Sequence, residues 1–121
     1  MTACIVGWAH SRFGKLEGET LESLIVKVAT DALDHAGIGP DEVDEIVLGH
    51  FNAGFSAQDF TASLVLQADD RLRFKPATRV ENACATGSAC AKRLSGSGSS
   101  RSGDDCLYLN NKGEVRHLPT C

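Results

Sequence analysis

Short apolar runs alternate with longer amphipathic stretches along the first ninety residues of the chain. Residues 3–8 and 46–49 are apolar, rich in β-branched side chains and bounded by glycine or polar residues, which is typical of buried strands. Residues 77–81 follow Pro76 and form a third predicted strand. Strands that alternate with helices predict an α/β fold with crossover connections, a βαβαβα run with a mainly parallel sheet.

Two helices are predicted between these strands. The first runs from Leu21 to about Ala36, with Thr20 as N-cap, Gly37 as left-handed C-cap and an apolar stripe along one face. The second spans residues 57–68 and follows the capping-box spacing of residues 56–59. Because the second helix is apolar on two sides, we expect a second layer or a partner subunit to cover it.

Composition and charge narrow the class of protein. The chain has 121 residues, a length typical of one domain, with 42% hydrophobic and 23% charged residues. A net charge of -4 without a basic run argues against a nucleic-acid or anionic-membrane partner. We expect no membrane-spanning segment and no secretory signal, because the apolar runs are only a few residues long.

Cysteine usage points to a reduced compartment. Five cysteines form an odd number without a Cys-x-x-Cys pair, which fits neither a disulfide framework nor a zinc site. We therefore expect a cytoplasmic protein.

The segment around Cys84 carries the strongest chemical signal. The predicted strand 77–81 runs directly into a helix whose first turns are almost all small residues. Asn82 is a good N-cap residue, which would place Cys84 in the first helical turn, where the helix dipole favours a thiolate. Gly87 and Ser88 leave room for a group to approach the sulfur. The alternative interpretation is a buried structural cysteine in a tightly packed helix.

The run VENACATGSA at residues 80–89 resembles the nucleophilic-cysteine segment of thiolases, the acyl-CoA acetyltransferases. The upstream chain, from ACIVG at residues 3–7 through EIVLG at residues 45–49, also resembles the start of a thiolase. The resemblance covers about residues 1–90 and implies a thiolase-like layered fold of which this chain holds a truncated N-terminal part.

The resemblance also implies a chemistry. Cys84 would attack an acyl thioester and carry the acyl group, in Claisen condensation of two acyl-CoA molecules or in thiolysis of a 3-ketoacyl-CoA. Coenzyme A thioesters would be substrates, with no bound cofactor, and the family is built as homo-oligomers. Its histidine base, second cysteine and oxyanion partners come from a C-terminal half beyond this chain, so we expect the fragment to be inactive alone.

Other sequence features contribute less. His50 and Asn52 leave the carboxyl end of the second strand, the end that faces the ligand crevice in open α/β sheets, so they are candidates for substrate contacts. His10 and His35 are interpreted as structural. No Gly-x-Gly-x-x-Gly run, phosphate-binding P-loop or Gly-x-Ser-x-Gly elbow occurs, which disfavours nucleotide phosphates as ligands and an α/β-hydrolase fold.

The composition changes sharply after Ala89, and three segments result. The resemblance implies a partial thiolase N-terminal domain at residues 1–94. The composition predicts a Ser/Gly-rich flexible linker at residues 95–105 and a tail at residues 106–121 that forms a hairpin or stays disordered. Our hypothesis is that a frameshift, a splice variant or a truncated reading frame replaced the family sequence. Translation of the neighbouring DNA in the other frames tests it.

Three functions remain open from the sequence. The first is a thiolase by descent with Cys84 as nucleophile. The second is a ketoacyl-synthase-type condensing enzyme, distinguished by acylation from acyl carrier protein instead of acyl-CoA. The third is a non-catalytic fragment that associates with an intact homologue.

Overall fold

The computed structural model of the chain describes residues 5–51, 57–96, 106–110 and 114–118. Two α-helices and five strands make up its regular structure: β1 (Gly7–Ala9), α1 (Leu21–Ala36), β2 (Glu45–Gly49), β3 (Ala77–Val80), α2 (Thr86–Gly96), β4 (Cys106–Asn110) and β5 (Glu114–Leu118). A 3-10 helix at Thr61–Gln67, here called the crossover helix, lies between β2 and β3.

The five strands form one sheet in the order β1-β5-β4-β2-β3. β2 is parallel to both of its neighbours, β3 and β4, whereas β5 is antiparallel to β4 and β1. The predicted α/β class with parallel pairing is therefore confirmed. Of the predicted linker, Ser95 and Gly96 are the last residues of α2, and residues 97–105 lie outside the described residues. The tail segment contributes β4 and β5, which pair with each other.

The caps of α1 confirm the predicted helix boundaries. Thr20 Oγ1 accepts a hydrogen bond from Ser23 N (3.1 Å), and Ser23 Oγ accepts one from Thr20 N (2.9 Å), which completes a capping box. Gly37 ends the helix in the left-handed region, with φ of 71°. These two caps satisfy backbone groups that a helix end otherwise leaves unpaired.

Helices cover both faces of the sheet. On one face α1 and the crossover helix bury a core that contains Ile46 and Leu48 of β2. On the other face Val47 packs with Cys90 of α2 and with Val80 of β3. Because successive strand residues point to opposite faces, β2 has an apolar residue for each layer, as a doubly covered strand requires.

The first strand differs from its prediction. Residues 3–8 were expected to form a buried strand, but β1 spans Gly7–Ala9, and residues 1–4 lie outside the described residues. Ile5 and Val6 are exposed, and so is Trp8. β1 lies at the edge of the sheet and α1 covers only one of its faces, so the alternate side chains point away from the core.

The predicted α-helix over residues 57–68 is also wrong. The segment folds as the 3-10 crossover helix, which begins only at Thr61 and has no side-chain cap. Gln58 Oε1 accepts the N–H of Phe60 (3.1 Å), and this local bond competes with helix initiation at residue 57. With three residues per turn, Thr61 and Leu64 share one buried row, whereas Phe60 is 79% exposed.

Charged contacts join the segment after the crossover helix to the turn that precedes β2. Arg71 Nη1 lies 3.2 Å from Asp41 Oδ1, and Arg71 Nη2 lies 3.0 Å from Asp69 Oδ2. Lys75 Nζ donates to the carbonyl of Asp41 (2.9 Å). Asp41 belongs to the 3-10 turn Pro40–Glu42, which precedes β2, so these contacts mark the amino end of the strand.

Gly7 marks the closest approach of β1 to α1. A Cβ added there would lie 2.7 Å from Ala36 Cβ and 2.8 Å from the Ala32 carbonyl oxygen. We expect Gly7→Ala to lower the free energy of unfolding by about 1–3 kcal/mol, because packed backbone cannot move aside cheaply. Urea titration measures the loss. Gly39→Ala is the control, because the Cβ would meet the movable side-chain end of Asp41; equal losses would contradict the account.

The ionisation of the Asp69 carboxyl makes the free energy of unfolding depend on pH in the acid range. Hydrogen bonds from the Arg71 side chain and backbone hold the pKa of Asp69 at about 2, below its ordinary value of 3.8. A depressed carboxyl pKa contributes stability above 3.8 that is lost as the pH falls towards 2. We expect the urea midpoint of the native chain to fall across this window more steeply than that of Asp69→Asn. Parallel curves would show that the contact contributes nothing.

Candidate functional site

Cys84 lies on the short connection between β3 and α2. The chain leaves β3 at Val80, makes a 3-10 turn at Ala83–Ala85 and enters α2 at Thr86. The expectation that Cys84 occupies the first turn of the α-helix is therefore wrong, since the helix begins two residues later. The thiol is exposed at this position.

A single hydroxyl group shapes this connection. Thr86 Oγ1 accepts a hydrogen bond from Asn82 N (2.9 Å) and donates one to the carbonyl of Ala83 (2.7 Å). Thr86 is 3% exposed. The side chain of Asn82 makes no capping hydrogen bond, so the prediction of Asn82 as the cap is corrected: the hydroxyl of Thr86 closes the turn instead. Ala85 N also donates to the carbonyl of Asn82 (2.8 Å).

The residue before the cysteine has an unusual backbone. Ala83 has φ of 44°, in the left-handed region, where a residue with a Cβ is strained by about 1–2 kcal/mol. The bonds of the Thr86 hydroxyl and the packing of that residue hold the strained conformation in place. Strain of this kind, held by its surroundings, is often found at functional sites.

Cys90, which lies within α2, has the features of a structural cysteine. Its side chain is fully buried against Val47 and Val80, and burial raises the pKa of the Cys90 thiol to about 12. It therefore stays protonated and unreactive near neutral pH. Of the two interpretations of Cys84, exposure excludes the buried structural cysteine for that residue, and Cys90 has that role.

His50 follows the carboxyl end of β2, beside the strand that leads to Cys84. Its backbone N–H donates to the Val80 carbonyl (3.1 Å), so the pairing of β2 with β3 continues one residue beyond the strand. The side chain is 3% exposed. Burial, and secondarily the positive charge of Arg79, lowers the pKa of His50 below 6.5. The sequence makes His50 a candidate for substrate contacts only because it follows the second strand. The fold shows in addition that its side chain is buried.

The remaining polar residues considered from the sequence are Asn52, His10 and His35. Asn52 lies outside the described residues. The ring of His10 stacks on that of Trp8 and is tilted against that of Phe13, with centroids 5.3 Å and 5.5 Å away, and its Nδ1 donates to the carbonyl of Ser11 (2.7 Å). His35 Nδ1 accepts the backbone N–H of Trp8 (3.1 Å), which ties α1 to β1.

An open groove of about 690 Å³ lies between α2 and the residues that follow β3. Asn82, Ser88 and Lys92 are among its lining residues. Asn82 and Ser88 lie two residues before and four residues after Cys84 in sequence, and Cys84 itself is not among the lining residues. The sequence does not predict this groove, and the room that Gly87 and Ser88 would leave at the sulfur stays a prediction.

Two searches covered the described part of the chain. No group of three or more His, Cys, Asp or Glu side chains there could hold a metal ion. No helix among those residues is long and apolar enough to cross a membrane.

A model of the thiolase N-terminal domain matches residues 3–99 of the chain. The chain is 38% identical over 90 residues to an acetyl-CoA acetyltransferase of Methanocaldococcus jannaschii, which is 74% of this chain and 23% of that protein. It is 33% identical over 85 residues to an acetyl-CoA acetyltransferase of Methanothermobacter thermautotrophicus, 69% of this chain and 22% of that protein. The chain thus spans less than a quarter of the length of these curated relatives.

Solved structures of condensing enzymes share the fold. The 3-oxoacyl-[acyl-carrier-protein] synthase III of Aquifex aeolicus superposes with a TM-score of 0.62 at 16% identity, over 99% of this chain and 54% of that one. The tetronic acid condensing enzyme AbyA1 superposes with a TM-score of 0.60 at 24% identity, over 85% of this chain and 37% of that one. These likenesses confirm the predicted layered α/β fold.

The Thr86 hydroxyl generates a prediction about the Cys84 turn. We expect Thr86→Val to lower the free energy of unfolding by about 1–2 kcal/mol, because it leaves the Asn82 N–H without its partner and removes the hydroxyl bond to the Ala83 carbonyl, which keeps only the backbone N–H of residue 86. Urea titration measures the stability, and mass spectrometry measures the alkylation rate of Cys84, which we expect to move towards the rate of the unfolded chain. Thr86→Ser keeps the hydroxyl, so it should preserve most of the free energy of unfolding and an alkylation rate of Cys84 close to that of the native chain. Equal behaviour of the two variants would contradict this role.

Proposed function

This chain belongs to the thiolase family, and on that premise we propose that it takes an acyl group from acyl-CoA onto Cys84. The observation that carries the proposal is the placement of the thiol. Cys84 is exposed on a tightly bonded turn, at the carboxyl edge of parallel strands and just before the N-terminus of α2. Ligand crevices of open α/β sheets lie at this edge.

The proposed step is a thioester exchange. The sulfur of Cys84 attacks the carbonyl carbon of the acyl thioester and forms a new carbon–sulfur bond, while the bond to the sulfur of coenzyme A breaks. The thiol proton of Cys84 ends on the released coenzyme A, so atoms and charge balance.

We propose that the complete reaction is a Claisen condensation of two acyl-CoA molecules, or its reverse, thiolysis of a 3-ketoacyl-CoA. Covalent catalysis of this type needs a base and oxyanion donors besides the nucleophile. The curated relatives are more than four times as long as the part matched here. The chain alone is therefore expected to become acylated without sustained turnover.

A ketoacyl-synthase-type condensing activity is the second candidate. The likeness of the fold to the Aquifex aeolicus synthase and to AbyA1 favours it, since these structures share the layered architecture. In that case the acyl donor would be an acyl carrier protein. The closer sequence relatives are acetyl-CoA acetyltransferases, which is why we place coenzyme A first.

We also propose that the chain works as part of a cytoplasmic homo-oligomer. β3 is an edge strand, whose unpaired backbone groups can accept another strand. Phe60 and Phe74 are largely exposed, on the segment between β2 and β3. Association through the β3 edge, with a second copy or with an intact homologue, would pair its free backbone groups, and the exposed rings are further apolar surface for such a contact.

Acylation of Cys84 can be tested directly. We expect incubation with acetyl-CoA to add one acetyl group, which peptide mapping by mass spectrometry places on Cys84. Cys84→Ala should abolish it, because the nucleophile is gone. Cys90→Ala is the matched control and should leave the rate unchanged, because that thiol is buried and protonated.

Two outcomes would change the assignment. Acetylation spread evenly over the cysteines would contradict the nucleophile. Transfer of an acetyl group to Cys84 from the thioester of an acetyl-loaded acyl carrier protein, but not from acetyl-CoA, would favour the ketoacyl-synthase function.

A further inference from the structure

His50 is a buried ionisable residue that the proposed reaction does not use. It is 3% exposed. Nδ1 of His50 and Oγ1 of Thr61 are the two buried side-chain atoms of the described residues that have no hydrogen-bond partner. Of these two side chains only the imidazole titrates near neutral pH. The protonation state of His50 therefore bears on the stability of the structure around it.

The enclosed ring of His50 accommodates a neutral imidazole better than an imidazolium. A neutral ring has a proton on one nitrogen and a lone pair on the other, whereas both nitrogens of the charged ring are donors. The charge would be buried, and Nδ1 has no acceptor among the described residues. A charged His50 is satisfied only where water reaches its ring, and the folded arrangement keeps water away.

The charged groups around His50 do not offset this cost. Burial is the main cause that lowers the pKa of His50 below its ordinary value of 6.5, and the positive charge of Arg79 lowers it further. Glu81 and Asp59 act in the opposite direction. Their effect is the smaller one, and Glu81 is paired with Arg79 at 3.2 Å.

The segments next to His50 add no further charge. Residues 51–58, which follow it in the chain, include no titratable side chain. The crossover helix Thr61–Gln67 has none either. On the other side of β2, β4 has the uncharged residue Asn110 opposite Gly49. No carboxylate of these segments is therefore available to stabilise a proton on the ring.

His50 lies one residue beyond the paired part of β2 and β3. Its backbone N–H donates to the Val80 carbonyl (3.1 Å) and so extends the pairing at its carboxyl end. Val80 also packs with Val47 and Cys90 in the second core cluster. Separation of the strands at this end would therefore disturb the packing that buries the Cys90 thiol.

We propose that His50 is an acid-sensitive switch, in which a proton on its buried ring opens the carboxyl end of the β2–β3 pair. Opening lets the charged ring reach water and breaks the bond between the His50 N–H and the Val80 carbonyl. Because β3 leads into the Cys84 turn, the opening loosens the segment that holds that thiol. The inference goes beyond the proposed function and does not depend on it, since it needs neither an acyl donor nor a reactive Cys84.

Hydrogen exchange of the His50 amide measures this opening. A group whose pKa is lower in the folded state binds fewer protons there than in the open state, so opening becomes more favourable as the pH falls below 6.5. We expect the opening constant, corrected for the intrinsic pH dependence of exchange, to rise up to about tenfold from about pH 7.5 to about pH 5.5. Reaction of Cys90 with 4,4′-dithiodipyridine, which modifies thiols at acid pH, should accelerate over the same range relative to Cys84.

Non-titrating variants identify the group responsible. His50→Asn and His50→Leu should both flatten the rise in the opening constant of the residue-50 amide, whatever their absolute stability. His10→Asn is the matched control, because it removes an exposed imidazole and should keep the rise. A proton NMR titration of the histidine rings in the native chain needs no variant. It should show that His50 takes up its proton at a lower pH than His10.

Three outcomes would overturn the switch. They are an opening constant that does not change with pH in the native chain, a rise of equal size in the native chain and in both His50 variants, and a His50 ring that titrates together with that of His10. Acetylation of Cys84 by acetyl-CoA tests the proposed function separately. The switch and the nucleophile can therefore fail independently of each other.

Discussion

Parallel pairing of β2 with β3 is the constraint on which the rest of this structure depends. Its register is continued at both ends, by Ile46 N donating to the Pro76 carbonyl (2.8 Å) and His50 N donating to the Val80 carbonyl (3.1 Å). Because the strands run in the same direction, the segments that follow them leave at one edge of the sheet. One carries buried His50 and the other carries exposed Cys84.

The turn after β3 then decides which cysteine is accessible. An α-helix that began directly after Asn82 would include Cys84 in its first turn. The strained Ala83 and the Thr86 hydroxyl instead insert a 3-10 turn, and α2 starts only after Cys84. Cys90, within α2, packs against Val47 of β2. Two cysteines six residues apart therefore differ in exposure and in chemistry because of one short connection.

Local signals predicted the parts of the fold that local interactions determine. The boundaries of α1 follow from Thr20 and Gly37, whose caps involve only neighbouring residues, and both are confirmed. The resemblance of residues 80–89 predicted the family, which the match over residues 3–99 confirms. The role of Cys84 itself stays a prediction.

Longer-range effects produced the errors. Residues 57–68 have a helical pattern, but nothing in that pattern shows that the Gln58 side chain captures the Phe60 N–H, and the segment folds as a 3-10 helix. The cap of the Cys84 turn was assigned to Asn82, because its residue type is favoured there, whereas the hydroxyl of Thr86 reaches back from the following helix. The unpaired atoms of His50 and Thr61 depend on the packing of two layers, which no sequence window contains.

The most direct test of the account is the alkylation rate of each cysteine in the folded chain and in the urea-unfolded chain. Iodoacetamide at neutral pH with peptide mapping gives both rates for Cys84 and Cys90. The account predicts that folding suppresses the reaction of Cys90 far more than that of Cys84, because the Cys90 thiol is buried with a raised pKa whereas the Cys84 thiol is exposed. If folding protects Cys84 as strongly as Cys90, the Cys84 thiol is not accessible on this turn, and the central claim is wrong.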